Sequence, residues 1–323
     1  MIKNKKGALE FSFTWIFAII AGMFILFLAI YGVAKFMNIE RASQDAKTAM
    51  SIGVLTNPLE SSFETTKRSM IGLPVETRIY TGCKNLSGFF GEQTIKVSQK
   101  TYNEWSTEGV NVSFPNKYIF SENPAEGKNF YLFSKPFELP FKVGDLIYLT
   151  STKDKYCFKN APNNIKKEIE NLIGINPSAN ENFFTKDFDC PEGSINICFS
   201  GGNSLGNDCD IKVNVNSGYV EKDDKKMYYE GDALMYAAIF SNKNDYECQL
   251  DRLMKRTGQL SDIYRDKSTF VFEKTGCYSG LDSRLVLLKN NAENLGNSEN
   301  LNTIYSLAED IARENDYGVC RLW

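Results

Sequence analysis

The chain has 323 residues, and its 42% hydrophobic and 24% charged content is sufficient for a folded core and excludes a wholly disordered protein. Lysine and arginine total 37 against 40 aspartate and glutamate residues. This acidic balance argues against a nucleic-acid partner, because binding phosphates requires a basic surface. The chain contains no histidine, which excludes Ser-His-Asp and Cys-His catalysis and histidine-containing zinc sites.

The first predicted element is a long apolar helix. Residues 11–34 carry no charge, and 24 helical residues span about 36 Å, enough to cross a hydrocarbon core of about 30 Å. A cleavable secretory signal has an apolar core of only about 7–15 residues. We therefore predict a cytoplasmic basic tail or leader at 1–10 and a transmembrane helix at 11–36 in the lipid bilayer. The positive-inside tendency places the preceding lysines in the cytoplasm and the bulk of the chain outside the cell: Lys3, Lys5 and Lys6.

The helix is predicted to continue as an amphipathic stalk over 37–57. Asn57-Pro58 is expected to end it, because the residue before a proline avoids the helical conformation. Apolar or small residues recur at helical spacing, at Ile39, Ala42, Ala46, Ala49, Met50 and Leu55. The opposite face is polar and is predicted to be exposed: Glu40, Gln44, Asp45 and Lys47.

The start of the span resembles a known type of leader. Lys5-Lys6-Gly7-Ala8, followed by Glu10 and an apolar run that extends into an amphipathic helix, is similar to the class III signal peptide of archaeal type IV pilin-like proteins. The resemblance implies that a prepilin peptidase cleaves after Gly7 and leaves Ala8 as the new N-terminus. In that family the glutamate occupies the fifth mature position, whereas Glu10 would be the third.

A plain signal anchor is the alternative to a pilin-type leader. The stretch FSFTWIFAIIAG and the tail ending in CRLW also resemble single-span surface proteins of small-genome archaea, and this second resemblance implies no function.

Behind the stalk we predict an α+β ectodomain, β-rich over 58–230 and helical over 231–323. From Arg78 to Val220, short runs of aromatic and β-branched residues alternate with Gly, Asn and Pro. One helix is expected within them, starting at Asn163 or Asn164 and ending at Gly174. Its apolar face comprises Ile165, Ile169, Leu172 and Ile173.

After Gly231 the apolar residues follow a helical period. The run DALMYAAIFS is followed by a helix expected over 245–265, with a face of Tyr246, Leu250, Leu253, Leu260 and Tyr264. Two more helices follow, with faces of Leu281, Leu285, Leu288, Ala292 and Leu295, and of Leu301, Ile304, Leu307, Ala308 and Ile311.

The eight cysteines all follow the span, and none forms a CxxC motif. In an oxidising compartment they predict four disulfides, with reduced buried thiols as the alternative. Cys198 and Cys209 flank a turn-rich loop and are expected to pair, while Cys320 is expected to bond Cys248 or Cys277. The set is Cys83, Cys157, Cys190, Cys198, Cys209, Cys248, Cys277 and Cys320.

Two sequons, Asn85-Leu86-Ser87 and Asn111-Val112-Ser113, are compatible with a glycosylated external surface. They make Asn85 and Asn111 the candidate glycosylation sites.

No residue pattern indicates a catalytic, cofactor or metal site. The sequence from Gly202 to Gly206 fits G-x-S-x-G, but that motif requires a histidine base and a following helix, so a glycine-rich loop is predicted. Glu230 and Asp232 form the most suggestive carboxylate pair for glycosidase chemistry, although helix capping by Asp232 explains them equally well. We predict that the protein is not an enzyme and has no cofactor. A calcium site is also weighed, with turn chemistry the favoured interpretation: Asp187, Asp189, Asp208 and Asp210.

Two functional hypotheses remain. The first is a structural surface protein whose span packs against copies of itself or other spans, with Ala18 and Gly22 allowing close helix contact. The second is an anchored binding module for an external ligand, using an aromatic surface for which core packing is the alternative. An extracytoplasmic hydrolase ranks below both. The aromatic set comprises Tyr102, Trp105, Phe114, Tyr118 and Phe120.

Overall fold

The computed structural model describes residues 13–55, 67–85, 91–101, 103–173, 183–184, 190–200 and 209–323. Its mixed helices and strands confirm the α+β class. The leader residues Gly7, Ala8 and Glu10 lie outside the described residues.

Helix α1 runs without interruption over Phe13–Leu55, so the predicted span and stalk are one element of 43 residues. Within it, the segment Trp15–Met37 has a mean hydropathy of 2.7, and none of its residues is buried inside the structure. The second half of the helix packs on the first β-sheet. The helix therefore has a bare apolar half and a half that belongs to the folded head.

The first sheet has seven strands and lies next to α1. Its order is β3-β2-β1-β6-β7-β5, with β4 paired to β2. Only the β5–β7 pair is parallel among the pairings in the described part of this sheet. Strand β5 also lies close to β1, since the hydroxyl oxygens of Ser121 in β5 and Thr81 in β1 are 2.7 Å apart. The strands are β1 Lys67–Lys84, β2 Glu92–Thr101, β3 Glu104–Trp105, β4 Val112–Phe114, β5 Ile119–Ser121, β6 Ala125–Glu138 and β7 Lys142–Ser151.

One face of this sheet forms a core of its own with α1. Ala49 and Ile52 of the helix join buried residues of the strands, including Ile79, Ile95 and Leu149. Because side chains alternate along a strand, every second side chain faces α1, and the others join the main core on the opposite face. Both faces of the sheet are therefore covered.

The second sheet has six strands in the order β13-β12-β11-β10-β8-β9. Strands β9, β8, β10 and β11 are parallel, whereas β12 and β13 add an antiparallel hairpin. The elements are β8 Tyr156–Lys159, α2 Asn163–Ile173, β9 Phe183–Phe184, β10 Ile195–Ser200, β11 Ile211–Asn214, β12 Tyr219–Lys222 and β13 Lys225–Tyr228.

The remaining chain is helical. Helix α3 is the central element, because eight of its ten residues, from Ala233 to Phe240, are buried. An apolar surface around the whole helix is typical of a fully enclosed position. The helices are α3 Gly231–Phe240, α4 Lys243–Thr275, α5 Asp282–Glu293, a short 3-10 helix at Ser298–Asn300 and α6 Leu301–Tyr317.

A single large core joins the β-rich and helical regions. The Phe133 ring of the first sheet lies 4.6 Å from Tyr148 and 5.6 Å from Phe240 of α3, measured between centroids. Phe183 of the second sheet lies 6.0 Å from Phe133. The same core includes Leu285 and Ile304 of the C-terminal helices. The regions 58–230 and 231–323 therefore share their hydrophobic interior.

One predicted boundary was wrong: helix α4 continues to Thr275, ten residues beyond the predicted end. The β6–β7 hairpin has its turn at 139–141. The β12–β13 hairpin lies inside the region 58–230 that was expected to be β-rich, and Asp223 and Asp224 have positive φ in its two-residue turn. Such short polar turns depend on backbone conformation, which the apolar pattern of a sequence does not record.

Candidate functional site

The second half of α1 is fixed to the head by close packing. Ala49 is fully buried and Ile52 is 1% exposed, which places both in the core under the first sheet. Gly53 lies against the ring of Phe114, where a Cβ at position 53 would overlap the ring. The prediction for this face was wrong at Met50, which is 56% exposed.

Asp45 was predicted on the exposed face, yet it is 3% exposed. Its Oδ2 accepts a hydrogen bond of 3.2 Å from the Ser106 hydroxyl, and its Cβ faces Gly109 so closely that a Cβ there would lie 2.8 Å away. A buried carboxylate requires such partners. Asp45 thus connects the helix to the loop between β3 and β4.

The first half of α1 presents an apolar surface without partners in the described structure. Its large side chains are well exposed, for example Phe24 at 62% and Phe27 at 65%. A Cβ added at Gly22 would have no atom within 4 Å, so the surface there is open. Such a surface in water would be unfavourable, and it requires lipid or another helix.

The structure joins all eight cysteines in four disulfides. The expected Cys198–Cys209 bond is present, and Cys320 bonds Cys277, one of its two expected partners. The other bonds are Cys83–Cys248 and Cys157–Cys190. The Cys83–Cys248 bond connects the end of β1 to the first turns of α4.

A buried polar network reinforces the same junction, and the sequence analysis missed it. The Arg252 guanidinium is fully buried and donates to the carbonyl oxygens of Lys117 and Pro115, both at 2.9 Å. It also donates to Gln249 Oε1 at 2.6 Å, and Gln249 Nε2 donates to Gln93 Oε1 at 2.5 Å. Burial lowers the pKa of Arg252 from its usual range. No local spacing signals this network, because its hydrogen-bonded partners are up to 156 positions apart.

The two sequon asparagines have different surroundings. Asn85 is held by Asp251 and Lys255 of α4. Asn111 is exposed and directly precedes β4.

Glu230 and Asp232 lie together in a cleft of about 310 Å³. The end of β6, the start of α3 and Tyr305 of α6 form its walls. Gly231, between the two carboxylates, has a φ of +73°, which favours glycine. Helix capping by Asp232 was wrong: the N-cap position is Glu230, which makes no capping hydrogen bond, and Asp232 lies in the first turn.

The two carboxylates differ in environment. Burial raises the pKa of Glu230, and the nearby charge of Glu309 adds to this, while a hydrogen bond from Asn302 acts against it. Asp232 has an Oδ2 3.6 Å from the Lys135 ammonium and is 44% exposed. Unlike environments of this kind are what separates an acid from a base in carboxylate-pair chemistry.

A second ion pair borders the cleft. Lys135 Nζ lies 2.8 Å from Glu168 Oε2, and both side chains are largely buried. The Tyr236 hydroxyl donates to the same Glu168 oxygen at 3.2 Å. Neither Lys135 nor Glu168 was a candidate from the sequence, since each lies in an ordinary strand or helix pattern.

Most of the aromatic residues weighed as a binding surface pack into the core instead, which was the favoured interpretation. Tyr118 and Phe120 are 1% exposed in the main core, and Phe114 packs beneath α1. Trp105 is half-buried, with the Arg78 guanidinium 4.0 Å from its ring centroid. Tyr102 lies outside the described residues. Rings of this size fill cores, which their sequence pattern alone does not distinguish from a surface.

Most of the remaining candidates lie outside the described residues. Residues 202–206 and three of the four calcium candidates, Asp187, Asp189 and Asp208, lie outside the described residues. Asp210 accepts a hydrogen bond of 2.7 Å from the Asn196 N–H, as a turn residue does. Within the described part of the chain, no group of three or more Cys, Asp or Glu could hold a metal ion.

Comparison of the chain with protein-family models, with curated proteins and with solved structures gave no match in any of the three. The inference of function therefore depends on the geometry. An apolar helix long enough to span a bilayer and four disulfides are together what a membrane-anchored extracytoplasmic protein carries.

Proposed function

We propose that this protein is a membrane-anchored, extracytoplasmic structural subunit with a pilin-like role, and that copies associate through the first half of α1. The observation that carries the proposal is the division of one continuous helix into a bare apolar half and a half packed into the head. The N-terminus is cytoplasmic in this account, because lysines precede the span.

The rigid connection between the apolar half of α1 and the half packed on the sheet supports a role in assembly. A flexible linker would suffice to tether a binding domain to a membrane, whereas a rigid helix fixes the orientation of each head relative to its span. Asp45, Ala49 and Gly53 hold the helix on the sheet along about two turns. Heads oriented in this way are suited to a regular array of subunits.

Ala18 and Gly22 supply a contact for the association. Residues four apart lie on one helix face, and small residues there allow two helices to approach closely. Because no intramolecular atom lies near a Cβ at Gly22, a larger side chain there does not disturb the fold of one subunit. Substitution at Gly22 therefore reports on contacts between subunits.

The test is the oligomeric state of the full chain in mild detergent, measured by size-exclusion chromatography with light scattering. We expect wild type to form oligomers or filaments and Gly22→Leu to shift toward monomer. Ala34→Leu is the matched control, because Ala34 lies about 120° around the helix from Gly22. A monomeric wild type, or an equal effect of both variants, would overturn the proposal.

A binding function is the second candidate, and the cleft of Glu230 and Asp232 favours it. Its volume of about 310 Å³ is at the lower end of the range of small-molecule sites, ~300–1,000 Å³. Carboxylates beside the Tyr305 ring are suited to the hydroxyl groups and the ring face of a sugar. Isothermal titration of the full chain with simple saccharides tests this. Binding lost in Asp232→Asn but kept in Glu104→Gln supports it, and no binding by wild type contradicts it.

A further inference from the structure

We propose that Asn111 is an N-glycosylation site and that Asn85, the other sequon asparagine, is not glycosylated. The proposal rests on the extracytoplasmic placement of the head. The donor is an oligosaccharide linked to a polyprenyl diphosphate. A bond forms between Asn111 Nδ2 and the sugar C1, the bond from C1 to the diphosphate oxygen breaks, the lipid diphosphate leaves, and the amide loses one proton to solvent.

The geometry at Asn111 suits a transferase. Asn111 and Ser113 are both exposed, and Val112 between them is half-buried against the core beneath the sheet. Since side chains alternate along a strand, Asn111 and Ser113 face the same outward side. Both sequon side chains, the amide and the hydroxyl, are thus presented together.

The position of β4 in the sheet also leaves room for a glycan. Strand β4 pairs with β2 through Val112 and Ile95, and lies off the main path of the sheet. A glycan on this strand would shield a sheet edge, which is otherwise a site for unwanted pairing with other chains.

Asn85 has a different role, because its amide is engaged on both sides. Its Nδ2 donates to Asp251 Oδ2, and its Oδ1 accepts from the Lys255 ammonium. Lys255 and Asp251 also pair with each other, at 3.0 Å on one face of α4. Asn85 lies two residues from Cys83, which is bonded to Cys248 of the same helix. Asn85 is exposed, but a sugar on Nδ2 would compete with the bond to Asp251, so Asn85 acts as a clamp between β1 and α4.

A glycan on Asn111 would lie close to helix α1. Asn111 is two residues from Gly109, which packs on Asp45 of α1. Asp45 lies eight residues beyond Met37, about 12 Å along the helix from the end of the apolar segment. The glycan would therefore lie beside the junction of head and span.

The experiment is glycopeptide mass spectrometry on the full chain from membranes of a host whose extracytoplasmic proteins carry N-linked glycans. We expect a glycan on the Asn111 peptide of wild type, lost in Asn111→Gln and also in Ser113→Ala, which keeps the asparagine. Asn85→Gln should keep the full glycan while lowering the melting temperature.

A glycan on Asn85, or one that persists in Asn111→Gln, would overturn the proposal. Unmodified protein with four intact disulfides would overturn it while leaving the external placement standing. Unmodified protein with reduced cysteines would overturn the external placement as well.

Discussion

Gly53 of α1 and Phe114 of β4 pack so closely that no side-chain carbon fits between the helix and the ring. This contact fixes the last turns of α1 on the head. Gly53→Val should therefore destabilise the head by about 1–3 kcal/mol, as overpacking of a tight core does. The check is chemical unfolding of the full chain in detergent, followed by circular dichroism.

The matched control for this prediction is Gly32→Val, since Gly32 is also in α1, a Cβ there would have nothing within 4 Å, and it lies outside the Ala18–Gly22 contact. Its free energy of unfolding should equal that of wild type within about 0.5 kcal/mol. If Gly53→Val were as stable as Gly32→Val, α1 would not be packed on the sheet in solution.

The buried Arg252 is predicted to be among the most sensitive positions in the head. Arg252→Ala leaves two backbone carbonyls and the Gln249 amide oxygen without their donor. Each unsatisfied buried group costs about 1–3 kcal/mol, so a total loss on the order of 3 kcal/mol or more is expected.

Thermal unfolding measures the effect, and Arg313→Ala serves as its control. Arg313 is 70% exposed and pairs only with exposed Asp310 among the described contacts. Removing its side chain should lower the free energy of unfolding by about 0–1 kcal/mol. Equal losses for the two variants would mean that the Arg252 network does not connect α4 to the sheet.

The accuracy of the sequence-based predictions depended on how local each interaction is. Helices α2, α5 and α6 were predictable because their apolar faces recur within each helix, and Ile165, Leu285 and Ile304 are indeed buried. The Cys198–Cys209 bond was predictable because only 11 positions separate its ends. Cys83–Cys248, which spans 165 positions, depends on the strand order, which no sequence pattern reveals.

The disulfides are expected to differ in their contribution to stability. In the chain-entropy model, closing a longer loop restricts the unfolded state more, which gives about 5 kcal/mol for Cys83–Cys248 and about 3 kcal/mol for Cys198–Cys209. The melting temperature of the double serine variant at 83 and 248 should therefore fall further than that of the variant at 198 and 209. The reverse order would show that β1 and α4 remain together without their bond.

The pH dependence of stability provides a test of the cleft. Burial raises the pKa of Glu230, so the folded state holds its proton to higher pH than the unfolded state does. The stability that the folded state gains from holding this proton is fully present below the ordinary glutamate pKa of about 4.3. It is lost as the pH rises through the pKa of Glu230 in the folded state. Glu230→Gln should therefore gain melting temperature relative to wild type between pH 4 and pH 7.

Glu104→Gln, at an exposed position in β3, removes the same charge and is the control. A pH-dependent gain that is no larger in Glu230→Gln than in Glu104→Gln would mean that Glu230 is solvated and the cleft is open to bulk water.

Only part of the candidate site could be predicted from the sequence, because some of its residues are far apart in the chain. Glu230 and Asp232 were recognised because they are neighbours in the chain, but Lys135 and Tyr305 reach the cleft from distant elements. Asp45 was assigned to solvent because polarity predicts exposure, and its burial depends on Ser106, which is 61 positions away.

The central claim, that copies associate through the apolar half of α1, is tested most directly by cysteine cross-linking in membranes. All eight native cysteines are in disulfides, so a cysteine at Gly22 or Ala34 would be the single free thiol. Under mild oxidation, Gly22→Cys is predicted to form covalent dimers and Ala34→Cys to remain monomeric. Equal dimer yields at the two positions, or no dimers at either, would contradict the account and leave a solitary membrane anchor.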